Sequence, residues 1–278
     1  MRHFRKLLVA TDTRLEKHPI VDEAAVIADH NGASLTIVDV LPLFPWIVRV
    51  SLPNHQEILD LMIREKQEQL DKLAAPIRDR GIDVETKVLV GKTSVEIIRQ
   101  VMRGRHDLVI RVAKGRDSSR NSFFGTTGIR LLRECPCAVW LVAPASSPKY
   151  KHVLGCIDTS SDASLDAELN SQVFETATLV SQKHSCRLSI VHAWRLDGEE
   201  FLLTRMNQES LESLKRKGRK HIATRLDQFL RLHDSSILEH NMYMLKGRAS
   251  DVIPSFASTQ AVDLVVMGTV ARSGLAGM

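Results

Sequence analysis

The feature that most constrains this chain is that it repeats itself. An apolar run ending in Asp-Thr, Leu7-Leu8-Val9-Ala10-Thr11-Asp12-Thr13, returns as Val153-Leu154-Gly155-Cys156-Ile157-Asp158-Thr159. Leu35-Thr36-Ile37-Val38-Asp39-Val40 returns as Leu188-Ser189-Ile190-Val191-His192-Ala193, and Gly91-Lys92-Thr93-Ser94 as Gly247-Arg248-Ala249-Ser250. Sixteen positions after each of those glycines stands Asp-Leu-Val, beginning at Asp107 and at Asp263. Four landmarks in one order imply two copies of a single structural unit.

Between the landmarks the periodicity is helical. One apolar face begins near Pro19 with Ile20, Ala24, Ile27 and Ala28, and a longer one covers about Glu57 to Arg80, with Ile58, Leu61, Met62, Leu70, Leu73 and Ile77. Their counterparts are about Asp162 to Lys183 and Gln208 to His233. Short continuous apolar runs alternating with helices predict parallel strands buried on both faces, joined by right-handed crossovers. The expected fold class is α/β, with two tandem doubly wound parallel sheets. Pro144-Ala145-Ser146-Ser147-Pro148-Lys149 interrupts both periodicities, so the domains are expected at 1–145 and 150–278. The first copy closes with a helix near Gly128 to Arg133 and a fifth strand after Cys135-Pro136-Cys137. The second shows no counterpart before Met278, which predicts a sheet that lacks its fifth strand, a copy truncated at its C-terminal end, and an uncovered strand edge favouring a homodimer.

Composition narrows the function classes. At 44% apolar and 26% charged over 278 residues, each copy can bury a core of its own. No run approaches the roughly 20 apolar residues of a membrane span, and the start reads as a strand rather than a leader, so a cytoplasmic protein is expected. Cys135, Cys137, Cys156 and Cys186 lack the paired spacing of a zinc site and read as buried free thiols. The net charge of +5 favours polyanions without choosing among them. Lys215-Arg216-Lys217-Gly218-Arg219-Lys220-His221 lies in a predicted helix with no interleaved aromatics, which argues for a solvated face and against nucleic acid. Gly91-Lys92-Thr93-Ser94 imitates the tail of a P-loop, but Thr86 stands where the first glycine belongs, so a strand-to-helix turn with a serine near the cap is expected. Most histidines read as surface residues or caps, and His192 as lining a pocket.

In open α/β sheets ligands bind beyond the carboxyl ends of the strands, where strand order reverses. The second copy there reads Met267-Gly268-Thr269-Val270-Ala271-Arg272-Ser273-Gly274. The first reads Val112-Ala113-Lys114-Gly115, nine residues, then Gly125-Thr126. With Asp12 and Asp158 closing the first strands, these segments resemble the universal stress protein family, whose ATP-binding members carry G-x-x-G, nine residues and G-[S/T] after the fourth strand. The likeness spans nearly the whole chain and is closest to tandem, E-type members, of the adenine-nucleotide α-hydrolase-like fold.

The resemblance implies a stress-response protein that binds ATP or another adenine nucleotide, with magnesium entering alongside it, and acts as a sensor or regulator of protein partners rather than as an enzyme beyond incidental hydrolysis. Carried over by position, the binding residues are Asp12, Val40, Gly115, Gly125 and Thr126 in the first copy and Asp158, Ala193, Gly268, Thr269 and Arg272 in the second. Val112 replaces the first motif glycine, and Arg111, aligned with Met267, puts a charge into a buried strand. Arg111 fits either a phosphate contact or a structural ion pair. The alternatives to nucleotide binding are a ligand-free interaction scaffold and a binder of another small, lipid-like ligand.

Overall fold

The computed structural model describes residues 4–15, 17–113, 125–143, 150–160, 164–196, 198–233 and 241–269. The chain divides into two compact units, within Arg2–Pro148 and Lys149–Val270. The first runs β1 (Lys6–Ala10), α1 (Pro19–Asn31), β2 (Ser34–Leu41), α2 (Trp46–Ser51), α3 (His55–Arg78), β3 (Val84–Val90), α4 (Thr93–Gly104), β4 (Leu108–Val112), α5 (Gly125–Glu134) and β5 (Ala138–Val142). Its sheet is parallel throughout, in the order β3-β2-β1-β4-β5. The second unit runs β6 (His152–Cys156), α6 (Ser164–His184), β7 (Arg187–Trp194), α7 (Glu199–Leu203), α8 (Gln208–Arg231), β8 (Met242–Lys246), α9 (Ala249–Thr259) and β9 (Leu264–Met267). Among the described residues its sheet has four parallel strands, β8-β7-β6-β9.

The strands read as continuous apolar runs because helices cover both faces. Along β1, Leu7 and Val9 pack with Ile20, Ala24, Leu70 and Ala74 of α1 and α3, while Leu8 and Ala10 pack with Ile97, Val101 and Leu131 of α4 and α5. Leu7, Leu8, Ile37, Leu70, Ile97 and Leu131 are fully buried, each contributing about 1.5–3 kcal/mol by leaving water. Helix α1 starts with Pro19 in its first turn, where a missing N–H costs nothing. It stops at Gly32, whose left-handed conformation turns its N–H back to Ala28 and Asp29.

The repeated landmarks have physical causes. Asp107 accepts the backbone N–H groups of Arg5 and Lys6 at 2.7 and 3.1 Å, and Asp263 those of Lys151 and His152 at 2.7 and 3.0 Å. Each carboxylate thus fixes the start of the neighbouring central strand. Gly91 and Gly247 sit at φ 146° and 145° with their N–H groups on Leu41 O and Trp194 O, both at 2.9 Å. A side chain is strained at that angle and would also strike Glu96 or Val252. The expected strand-to-helix turn with a serine near the cap forms there: Lys92 is the N-cap of α4, no side chain caps it, and Ser94 is buried in the first turn.

Three histidines are buried, His192 as its place near the end of the second strand implies, and His106 and His152 against the surface reading. His106 Nε2 lies 3.0 Å from Thr36 Oγ1, and His152 Nε2 lies 2.8 Å from Ser189 Oγ, the repeat-equivalent hydroxyl. His106 precedes β4 whereas His152 opens β6, so the two units bring an imidazole to the same place from different strands. Burial pushes the His106 pKa below its usual 6.5, with the carbonyls of Gln100 and Val101 opposing and Lys6 and Lys87 adding to the shift. The folded state therefore holds a neutral ring while the unfolded chain takes up a proton as pH falls through about 6.5. This contribution is fully present above that pH and is lost as pH falls toward the folded pKa. Urea unfolding of the first unit should show stability rising with pH across this window, and His106→Gln should flatten the rise. An unchanged slope would mean that the ring titrates alike in both states.

Candidate functional site

In the first unit the chain runs outward from β1 through β2 to β3, then crosses back to β4 and β5, so strand order reverses beside β1. The carboxyl ends of β1, β2 and β4 open there onto a cavity of about 300 Å³, at the small end of the range for ligand pockets. Val40, Leu41, Pro42 and Met62 give it an apolar wall, and Asp12, Arg14, Asp39, Lys66 and Arg111 bring three cations against two carboxylates. Thr93, the first residue of α4, also reaches it, so the turn that imitates a P-loop does border the pocket.

Each carboxylate has its own cation. Arg14 grips Asp12 with both ends of its guanidinium, Nε to Oδ1 at 2.8 Å and Nη2 to Oδ2 at 2.6 Å, and its backbone N–H adds a bond of 3.1 Å. Chiefly through those side-chain bonds, the Asp12 pKa is lowered to about 2. The pair is exposed and contributes little to stability. Asp39 is buried within β2, where its Oδ2 accepts the Thr13 N–H at 2.9 Å, the Thr13 hydroxyl at 2.8 Å and the Lys66 ammonium. Lys66 Nζ donates further to Thr13 Oγ1 at 2.8 Å.

Arg111 differs from both. It stands in β4 opposite Ala10, and burial drives its pKa below the usual 12.5 while Asp12 and Asp39 pull the other way. Among the described residues its guanidinium makes no hydrogen bond or ion pair, although it lines the pocket. The two carboxylates act on it only at a distance, while Arg14 holds both oxygens of Asp12 and Lys66 one oxygen of Asp39.

The second unit arranges the same positions differently. Asp158 is exposed and accepts the Ser160 N–H at 2.9 Å and its hydroxyl at 2.6 Å, while Asn170 clamps the Asp158 backbone through bonds of 2.9 and 2.6 Å. His192 occupies the place of Asp39, and its Nδ1 accepts the Thr159 N–H at 3.3 Å, as Asp39 accepts that of Thr13. Accepting there requires a neutral ring, and burial lowers the His192 pKa despite the opposing Asp158. Ala193 follows half-buried on β7. Gly268 directly follows β9, where a Cβ would come within 2.5 Å of Leu169, and Thr269 beside it is exposed.

Of the residues expected from sequence, Asp12 and Val40 meet in one pocket. Gly125, at φ 61°, and the exposed Thr126 open α5 and do not line that cavity. Gly115 and Arg272 lie outside the described residues. Asp39, Lys66 and Arg14 were not anticipated as pocket residues. A carboxylate inside an apolar run was the available signal for Asp39, and Lys66 carried none. A larger groove of about 590 Å³ opens at the other end of the first sheet, bordered by Lys6, Ser34, Lys87, Gln100 and Arg103. It lies away from the carboxyl ends of β1 and β4, where this fold places ligands.

Comparison with known proteins agrees with this architecture. The model of the Universal stress protein family matches residues 3–143 and again 149–278. Universal stress protein E of Salmonella typhi is 25% identical over 282 residues, covering 99% of this chain and 88% of the relative. That of Escherichia coli strain K12 is 24% identical over 283 residues, covering 99% and 87%. Among solved structures, a protein of unknown function from Pseudomonas aeruginosa PAO1 superposes with a TM-score of 0.70 at 18% identity, covering 99% of this chain and 85% of the other. A universal stress protein from Archaeoglobus fulgidus DSM 4304 gives 0.56 at 14% identity, covering 97% and 89%. The chain belongs to the universal stress protein family and carries two of its domains in tandem.

Proposed function

We propose that this stress-response protein binds ATP or a related adenine nucleotide in the pocket of its first unit, and that occupancy regulates protein partners rather than metabolic turnover. The observation that carries the reading is Arg111, a cation turned to the pocket with no ion pair of its own among the described residues. A half-buried guanidinium beside a net positive lining recognises a phosphate, and the wall of Val40, Leu41, Pro42 and Met62 suits a base or ribose. Asp12 and Asp39 are held by Arg14 and Lys66, so magnesium would arrive as the counter-ion of the nucleotide.

A second reading, an interaction scaffold, is favoured by the apolar surface beside the pocket, where Leu43, Trp46, Ile47 and Val50 are all exposed. One experiment separates the two. Native mass spectrometry of the intact chain with ATP, with and without magnesium, should show one nucleotide per chain. Absence of any bound mass at millimolar ATP would sink the nucleotide reading and leave the scaffold.

A further inference from the structure

Cys135 and Cys137 flank the turn from α5 into β5, and their Sγ atoms lie 3.7 Å apart. Both are half-buried, with Pro136 exposed between them. The turn belongs to neither helix nor strand, so the two side-chain rotations are opposed by packing against the core and by the 3.5 Å contact of Cys137 Sγ with Ala138 O rather than by a backbone ladder. A disulfide requires sulfurs about 2.05 Å apart, within reach of such rotations from this starting distance. We propose that Cys135 and Cys137 form a peroxide-reactive dithiol that closes to a reversible intramolecular disulfide.

The chemistry balances with a hydroperoxide as the oxidant. The Cys135 thiolate attacks the terminal oxygen of ROOH, forming an S–O bond as the O–O bond breaks, and the departing alkoxide takes a proton to become ROH. Cys135 is then a sulfenic acid. The Cys137 sulfur attacks that sulfur, the S–S bond forms, the S–O bond breaks, and the hydroxide leaves as water with the Cys137 proton. In sum, two thiols and ROOH give a disulfide, ROH and water, the sulfurs supplying the two electrons.

The environment assigns the roles. The two sulfurs share one contact, and burial with the nearby Asp107 carboxylate pushes the Cys137 thiol up, which leaves Cys135 the more readily ionised of the pair. The other two thiols are poorer nucleophiles, because burial raises Cys156 to about 12 and burial with Asp263 raises Cys186. Closing so small a ring through Pro136 strains the product, and strained disulfides are the readily reduced, regulatory ones.

The test uses the reduced full-length chain exposed to one equivalent of hydrogen peroxide, followed by alkylation and non-reducing peptide mapping. Two of the four thiols should disappear, the peptide following Arg133 should lose two hydrogens in mass, and dithiothreitol should restore both thiols. Cys135 should react about tenfold faster or more than Cys156 or Cys186. Cys137→Ser should instead accumulate a dimedone-trapped sulfenic acid at Cys135. Persistence of all four thiols, oxidation first at Cys156 or Cys186, or an equally fast sulfenic acid at Cys137 in Cys135→Ser would each overturn the proposal. The wild-type peptide map decides by itself should either variant fail to fold.

Discussion

Lys66→Met will destabilise the first unit by about 3–5 kcal/mol, because it leaves the Asp39 carboxylate buried with its cation gone. The Asp39 side chain is only 6% exposed and that of Lys66 14%, so water cannot replace the lost ammonium. Thr13 still donates two hydrogen bonds to Asp39 in the variant, which offset part of the desolvation and none of the missing charge. Adding Asp39→Asn should recover most of the loss. An amide oxygen can still accept the Thr13 N–H, and no buried charge remains. The second unit supports this, since there neutral His192 accepts the Thr159 N–H and the sheet forms without that carboxylate. Hydrogen exchange of the β1 and β2 amides reads the first unit by itself, avoiding the assumption that two units unfold as one. A cost for Lys66→Met below about 1 kcal/mol would show that the pair behaves as an exposed one.

The contrast between Asp39 and Lys66 shows what the sequence could and could not disclose. Repeat landmarks were legible because they serve local backbone needs: Asp107 and Asp263 tie down a strand start, and Gly91 and Gly247 occupy a φ that other residues resist. Those needs recur wherever the unit recurs. The place of the pocket followed from the fold class, since a doubly wound parallel sheet binds ligands at its switch point. Lys66, by contrast, sits among Arg64, Glu65, Gln67 and Glu68 on a long helix, a run that reads as a solvated face. Only the packing of α3 on β2 turns that one side chain inward. His106 and His152 escaped notice since imidazole suits a surface and a core equally, and Thr36 and Ser189, which receive them, look like ordinary strand residues.

Arg111→Met is expected to weaken nucleotide binding about ten- to hundredfold, the loss of a charged hydrogen bond worth roughly 1.5–3 kcal/mol, while raising the stability of the unliganded chain. The two effects have one origin. In the absence of ligand the half-buried guanidinium is partly withdrawn from water with no direct partner among the described residues, a cost that methionine removes. A phosphate in the pocket would turn that cost into binding energy, because the cation is already partly desolvated and in place. Methionine is also the residue that the repeat itself places there. Met267 lies opposite Cys156 in the second sheet as Arg111 lies opposite Ala10 in the first, so the fold accepts the side chain at this register. Urea unfolding without ligand and calorimetric titration with ATP measure the two effects separately. A structural counter-ion to Asp12 and Asp39 would give the opposite sign in the first experiment, since its removal would strand two carboxylates with one cation fewer. Stability and affinity falling together would therefore assign Arg111 to the scaffold, whereas stability rising as affinity falls assigns it to the ligand.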